Sequence, residues 1–304
     1  MLKSEHLNNE ELVLPVNNMQ EQLLVNPAGI RTETLNTSKN VIGALVSEPE
    51  SIHAGTIVFV PGWSGSREDF VAVMPTLSSL GWHCYSIDQH GQPASYGSNN
   101  VEDFSLDSFA QDLIDIANGF SEPIHLVGHS FGGIVSQYAA SKSPNSFASV
   151  TLVCSGPGPL PKENWGGLPA LVQAVEKGRS LAFIWFVKTV TLTILRKQSF
   201  SKPVRKWRKQ RWLNTNPLSL KVMSELLMKV ENVTEKLKQT LSQHKLPILV
   251  IRGENDDAWP KNQQIEMAQT LNATYIEING AAHSPARELP DKTAIELDTF
   301  LKTI

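Results

Sequence analysis

Cysteine is nearly absent, with two in 304 residues. Cys84 and Cys154 each sit in an apolar run of strand character, so buried free thiols are expected rather than a disulfide framework or a metal site. Long apolar runs are missing too. The longest, Leu181–Leu195, contains Lys188 and three threonines. As a helix it would be about 22 Å long against a hydrocarbon core of about 30 Å, too short and too polar for stable membrane insertion. The first twenty residues, MLKSEHLNNEELVLPVNNMQ, lack a basic start followed by an apolar stretch, so a cytoplasmic location is expected. Internal repeats and low-complexity tracts are also lacking.

What is present is enough apolar sequence, 41% of residues, to bury the core of one α/β domain with an insertion. The stretches TIVFVPG, HCYSIDQ, IHLVGH and ASVTLVCS read as strands, separated by helical patterns at about 67–80, 105–120 and 131–142. Apolar strands alternating with helices predict a mostly parallel sheet with helices on both faces. From Pro157 to about Lys245 no strand is read; helical patterns at about 168–196, 203–213 and 217–243 take their place. The alternation resumes with LPILVIRGE, a helix at about 261–271, TYIEING and a helix at about 291–302. The organisation is therefore a core over 1–156 and 247–304, interrupted by a helical insertion over 157–246. GIRTETLN and VIGALV would extend the sheet as an antiparallel edge.

GHSFG, with Ser130 at its centre, follows the strand IHLVGH and precedes the helical GIVSQYAASK. A sharp strand-to-helix turn of this kind strains the serine backbone and brings neighbouring chain so close that a Cβ two residues to either side would clash, which accounts for Gly128 and Gly132. A serine hydroxyl becomes a nucleophile only when a base takes its proton and an acid holds that base in the right tautomer. Among eight histidines, His125 and His129 are held in the strand and turn and are expected to point elsewhere. His6, His53, His83, His90 and His244 lie in the N-terminus, before the turn, or at the end of the insertion. His283, in INGAAHSPARELP just after a strand, would face the rim where sites in parallel sheets are built. The acid candidates, Glu254, Asp256 and Asp257, follow the strand LPILVIRGE. A cap of the next helix is the other role open to both aspartates.

PGWSGS, SIDQHGQPAS, GHSFGG, RGENDDAWP and GAAHSPARELP together resemble, in order, the α/β-hydrolase family of serine hydrolases, from about residue 25 to the end. The resemblance implies an α/β-hydrolase fold with a helical cap. It selects Asp256 as the acid, through Gly253, Asp256 and Pro260 of a G-x-x-D-x-x-x-P pattern. It also implies an oxyanion hole from the backbone N–H groups of Phe131 and Trp63. Pro61-Gly62 stands where many members have His-Gly, so that loop is expected to be held by different hydrogen bonds. Pro93 replaces the second glycine of the D-x-x-G-x-G-x-S loop, which reads as scaffolding. Serine at 130, rather than the aspartate of related dehalogenases and epoxide hydrolases, favours an acyl-enzyme route on an ester or thioester. Acyl transfer, carbon–carbon bond hydrolysis and non-catalytic ligand binding are the alternatives. No cofactor or metal is implied.

The charge is uneven. Residues 156–246 carry 17 Lys and Arg against 5 Asp and Glu, a net of +12, whereas the remainder carries 10 against 25, a net of −15. Eight of the basic residues fall in RKQSFSKPVRKWRKQRW, Arg196 to Trp212. This run, with Phe183, Trp185, Phe186, Trp207 and Trp212, reads either as a solvated or body-facing surface or as an attractor of an anionic substrate or lipid surface. The absence of any recognition fold argues against nucleic acid.

Overall fold

The computed structural model describes residues 27–49, 53–95, 97–195 and 201–304. The N-terminal segment behind the localisation reading, and Arg196 and Lys197 of the basic run, lie outside the described residues.

Eight strands form one sheet: β1 (Ile30–Asn36), β2 (Val41–Ser47), β3 (Gly55–Val60), β4 (Trp82–Ile87), β5 (Ile124–His129), β6 (Phe147–Val153), β7 (Ile248–Gly253) and β8 (Thr274–Ile278). Their order is β1-β2-β4-β3-β5-β6-β7-β8. β1 and β2 pair antiparallel, as does β2 with β4, and the remaining neighbours are parallel. The edge pair is thus GIRTETLN and VIGALV, as expected. Exposure follows position: β1 alternates toward solvent, whereas β7, flanked by β6 and β8, is buried throughout, as an inner strand covered on both faces must be.

The helices are α1 (Met74–Ser79), α2 (Leu106–Asn118), α3 (Phe131–Lys142), α4 (Leu168–Glu176), α5 (Leu181–Leu195), α6 (Lys202–Leu213), α7 (Pro217–Lys229), α8 (Val233–Leu241), α9 (Lys261–Thr270), α10 (Pro285–Glu288) and α11 (Pro290–Leu301). The alternating pattern of β3 splits the core. Val58 and Val60 join Leu126, Val150 and Val250 against α2 and α3, while Ile57 and Phe59 join Met74, Leu77, Leu297 and Leu301 on the opposite face. Five helices, α4 to α8, lie between β6 and β7 among the described residues. The last packs on α3, with Thr234 Oγ1 donating to Gln137 Oε1 at 2.5 Å. No helix among the described residues is long and apolar enough to cross a membrane.

Three of the expected helices are divided. The 67–80 pattern is a 3₁₀ turn, Arg67–Phe70, followed by α1; Pro75, with no N–H to donate, fits only the first turn of a helix. The 168–196 pattern breaks at Gly178, whose φ of +68° is open to glycine at low cost. The 217–243 pattern breaks at Val230, which is extended, and restarts where the Asn232 side chain accepts from Glu235 N.

Two tests follow from this packing. A Cβ on Gly132 would lie 2.3 Å from Val60 O and 2.6 Å from Pro61 O, backbone that cannot rotate away. Gly132→Ala should therefore lower the unfolding free energy by about 2–3 kcal/mol, read from the urea midpoint. His125, only 8% exposed, lies edge-on to Trp82 with Nδ1 2.9 Å from Ser149 Oγ, and burial holds its imidazole down at about 4. The unfolded chain takes up this proton near pH 6.5, the native state only near 4, so its contribution is full above 6.5 and lost as pH falls toward 4. Unfolding measured between pH 7 and 4 should show a loss on the order of 3 kcal/mol from this residue, and a flatter slope in His125→Gln.

Candidate active site

Ser130 closes β5 with φ 53° and ψ −119°, a backbone conformation costly for a residue with a Cβ. Its surroundings hold it there. The Ser130 N–H donates to Val153 O at 2.9 Å, and its carbonyl accepts from Gly133 N at 2.9 Å and Ser155 Oγ at 2.8 Å. The flanking glycines serve the role the sequence assigned: a Cβ on Gly128 would lie 2.5 Å from Gly132 O, and one on Gly132 would strike β3.

Asp256 and His283 leave the ends of β7 and β8. A Cβ on Gly253 would lie 1.9 Å from Ala282 O, so only glycine lets the β7 turn rest against the histidine loop. The three acids then separate. Glu254 is exposed and accepts from Gly280 N at 2.7 Å; Asp257 is exposed; the Asp256 carboxyl is buried, 2.6 Å from His283 Nδ1. Neither aspartate caps α9, which starts after Pro260 with no side-chain cap. Burial pushes the Asp256 carboxyl up. Hydrogen bonds from His283, from Ala258 N at 3.1 Å and from Gln264 Nε2 at 2.7 Å outweigh it and leave the group below its ordinary value, ionised at neutral pH. With Nδ1–H directed at this carboxylate, the His283 lone pair is on Nε2. Ser130 and His283 line one cavity of about 720 Å³, and no hydrogen bond joins Ser130 Oγ to the His283 ring.

Several residues that support this arrangement were not singled out in the sequence. Arg252 donates to the carbonyls of Gly253, Glu254 and Asp256 at 2.6, 2.7 and 2.9 Å, fixing the turn. Glu288 accepts from the N–H groups of Ala282 and Ser284, on either side of His283. His129 does not point elsewhere as expected: it lines the same cavity, and its Nε2 donates to the His283 carbonyl at 2.7 Å. Burial, and the neighbouring His283, hold His129 down at about 4, so it is a neutral brace.

The loop after β3 comes close to the serine, since a Cβ on Gly62 would lie 3.0 Å from Ser130 Cβ. The different hydrogen bonds expected for Pro61-Gly62 come from the SIDQHGQPAS loop: Gln89 Nε2 donates to Pro61 O at 2.7 Å and Gln92 Nε2 to Gly62 O at 2.9 Å. Trp63 Nε1 donates to Ser224 Oγ of α7 at 2.8 Å. The backbone N–H groups of Trp63 and Phe131 have no acceptor among the described residues.

Helices α4 to α7 supply much of the cavity wall, including Leu171, Phe183, Lys188 and Trp212. The basic run divides. Arg205, Lys206 and Lys209 face solvent, whereas Arg211 turns inward, Nη1 2.8 Å from Asp69 Oδ1. Phe183 and Phe186 are exposed, but Trp212 is only 4% exposed and belongs to the interior. Cys154, Asp256 and His283 hold potential metal-ligand atoms within 4.8 Å of one another. The carboxylate and imidazole are already bonded to each other, and burial pushes the Cys154 thiol well above its usual range, so it is a neutral filler that donates to Ala282 O.

A family model described as alpha/beta hydrolase fold matches residues 55–286. The chain is 22% identical over 284 residues to Lipase 3 of Moraxella sp. (strain TA144), covering 89% of this chain and 84% of the lipase. It is also 22% identical over 256 residues to the pimeloyl-[acyl-carrier protein] methyl ester esterase of Aliivibrio salmonicida (strain LFI1238), covering 81% and 92%. Among solved structures, a thermophilic esterase from Thermogutta terrifontis superposes with a TM-score of 0.68 at 19% identity, over 91% of this chain and 99% of the other. The family match runs from β3 through the loop of His283, well over half of the sequence, and the chain therefore belongs to the α/β-hydrolase family, as a hydrolase.

Proposed function

We propose that this hydrolase cleaves a carboxylic ester or thioester through an acyl-enzyme on Ser130. The observation that carries the reading is the 2.6 Å contact between His283 Nδ1 and the buried Asp256, in a cavity whose wall also holds the strained Ser130. His283 Nε2 takes the proton of Ser130 Oγ as that oxygen bonds to the carbonyl carbon. The charge that moves onto the carbonyl oxygen is met by the N–H groups of Trp63 and Phe131. Collapse breaks the bond to the alcohol or thiol, which leaves with the proton from His283. Water then repeats the sequence, releasing the acid and restoring Ser130. Asp256 keeps Nδ1 protonated and stabilises the imidazolium without taking its proton. The names of the relatives, a lipase and a methyl ester esterase, fit an ester carbonyl, and the helices α4 to α7, in the role of a cap, would give an acyl chain an apolar wall.

Ser130→Ala should lower kcat on a p-nitrophenyl ester by at least about 10⁴-fold while leaving the melting curve intact; retention of a few percent of turnover, contaminants excluded, would overturn the mechanism. The acids give a sharper contrast. Asp256→Asn should cost about 10⁴-fold in kcat by imposing the wrong imidazole tautomer, and Asp257→Asn no more than about threefold, since an exposed carboxylate is screened by solvent. The reverse ranking in steady-state kinetics would remove Asp256 from the role.

A further inference from the structure

The cavity that contains Ser130 carries more positive charge than the protein neutralises. Lys188 of α5 lines it, with Nζ 4.7 Å from the ring centre of Trp212 and 5.7 Å from that of Trp63. Its ammonium has no hydrogen-bond acceptor and no ion pair among the described residues. A lysine on a solvent-reaching stem ordinarily carries its charge out to water; this one is held against two indoles inside an apolar wall. Arg211 and Arg287 line the same cavity, and Asp69 is the only carboxylate among its lining residues. Asp69 is matched by Arg211 at 2.8 Å, with Arg287 farther away at 3.6 Å. The Arg287 Nε is buried without an acceptor. Arg211 and Arg287 thus share Asp69, and Arg287 also lies near Glu288, whereas Lys188 has no acceptor among the described residues in a partly desolvated space, where an unpaired charge is costly.

We infer that Lys188, with Arg211 and Arg287, forms a receptor for a second, ionised acid group on the substrate, so that the enzyme selects esters whose chain also carries a carboxylate or phosphate. This rests on the ester-hydrolase reading for the word substrate but not for the binding site itself. An uncharged hydrocarbon chain would leave the excess charge unmatched. An oxyacid group would accept from the Lys188 ammonium, in the field of the neighbouring Arg211, with Arg287 adding positive charge to the same cavity. Burial, reinforced by Arg208 and Arg211, already draws the Lys188 pKa down to about 8. A bound anion would reverse that shift.

Calorimetric titration of the full-length protein with hexanoate, hexyl phosphate and the uncharged hexanamide tests the site without any turnover. At pH 7 at least one of the anions should bind no less than tenfold more tightly than the amide, and the stronger of the two identifies the acid group. Lys188→Met should reduce that margin below about threefold and Lys188→Arg should keep it, with melting curves confirming folded protein. Raising the pH to 9 should shrink the margin in the unaltered protein as Lys188, which sits among Arg208 and Arg211, loses its proton while Asp69, held below its ordinary value by Arg211 and Arg287, stays ionised. Equal binding of anions and amide by the unaltered protein, or an undiminished margin in Lys188→Met, would overturn the inference. Anion binding in a protein that hydrolyses no ester would instead remove the ester reading and leave the receptor standing.

Discussion

The close approach of three backbone segments around Ser130 is the constraint on which the rest of the site depends. The β5–α3 turn can hold φ near +53° only because α3 begins against the carbonyls of Val60 and Pro61, and that contact is possible only without a side chain at Gly132. The same approach places the loop of Gly62 and Trp63 beside the serine. One steric condition therefore positions both the proposed nucleophile and a proposed oxyanion donor, and strain at Ser130 is maintained by hydrogen bonds to Val153, Gly133 and Ser155 rather than by the residue's own preference.

A second close approach, of Gly253 to Ala282, does for the acid and base what the first does for the serine. Arg252 ties down the carbonyls of the Asp256 turn, and Glu288 collects the N–H groups flanking His283. Each loop is thus fixed by backbone bonds from a buried or half-buried charged side chain, and the Asp256–His283 contact needs little further ordering when a ligand arrives. The helices over the rim are attached differently, through Arg211 to Asp69 and Trp63 to Ser224. Further polar contacts, among them Thr234 to Gln137, Asn216 to Ser98 and Ser219 to His90, also join this basic insertion to the acidic body.

The sequence was most legible where chemistry and backbone geometry coincide. Strand order along the chain and the glycines beside Ser130 follow from local patterns, because turns and strand ends have local requirements; local pattern left Glu254, Asp256 and Asp257 open, and only the family resemblance pointed to Asp256. The insertion was less legible. Its helical periodicity was readable, but the breaks at Gly178 and Val230 were not, and the packing of α8 on α3 depends on partners about a hundred residues away. His129 was missed for the same reason, since its partner His283 lies 154 residues on; Arg252, Gln264 and Glu288 act on neighbours within eight residues, through side-chain bonds to a turn whose shape appears only on folding. The basic run shows the limit most clearly, since residues two apart on one helix face opposite surroundings, Lys209 in solvent and Arg211 on Asp69.

The central claim is that the substrate's acyl group passes through a covalent bond to Ser130 Oγ. Rapid-quench mass spectrometry of the protein mixed with a p-nitrophenyl ester tests it most directly. The account predicts that, within the first turnover, the proteolytic peptide containing Ser130 gains the mass of the acyl group less one hydrogen, in step with a stoichiometric burst of p-nitrophenol, and that the adduct decays to free acid. Normal turnover of the unaltered protein with no adduct at any quench time and no burst, or an adduct on a peptide lacking Ser130, would contradict it.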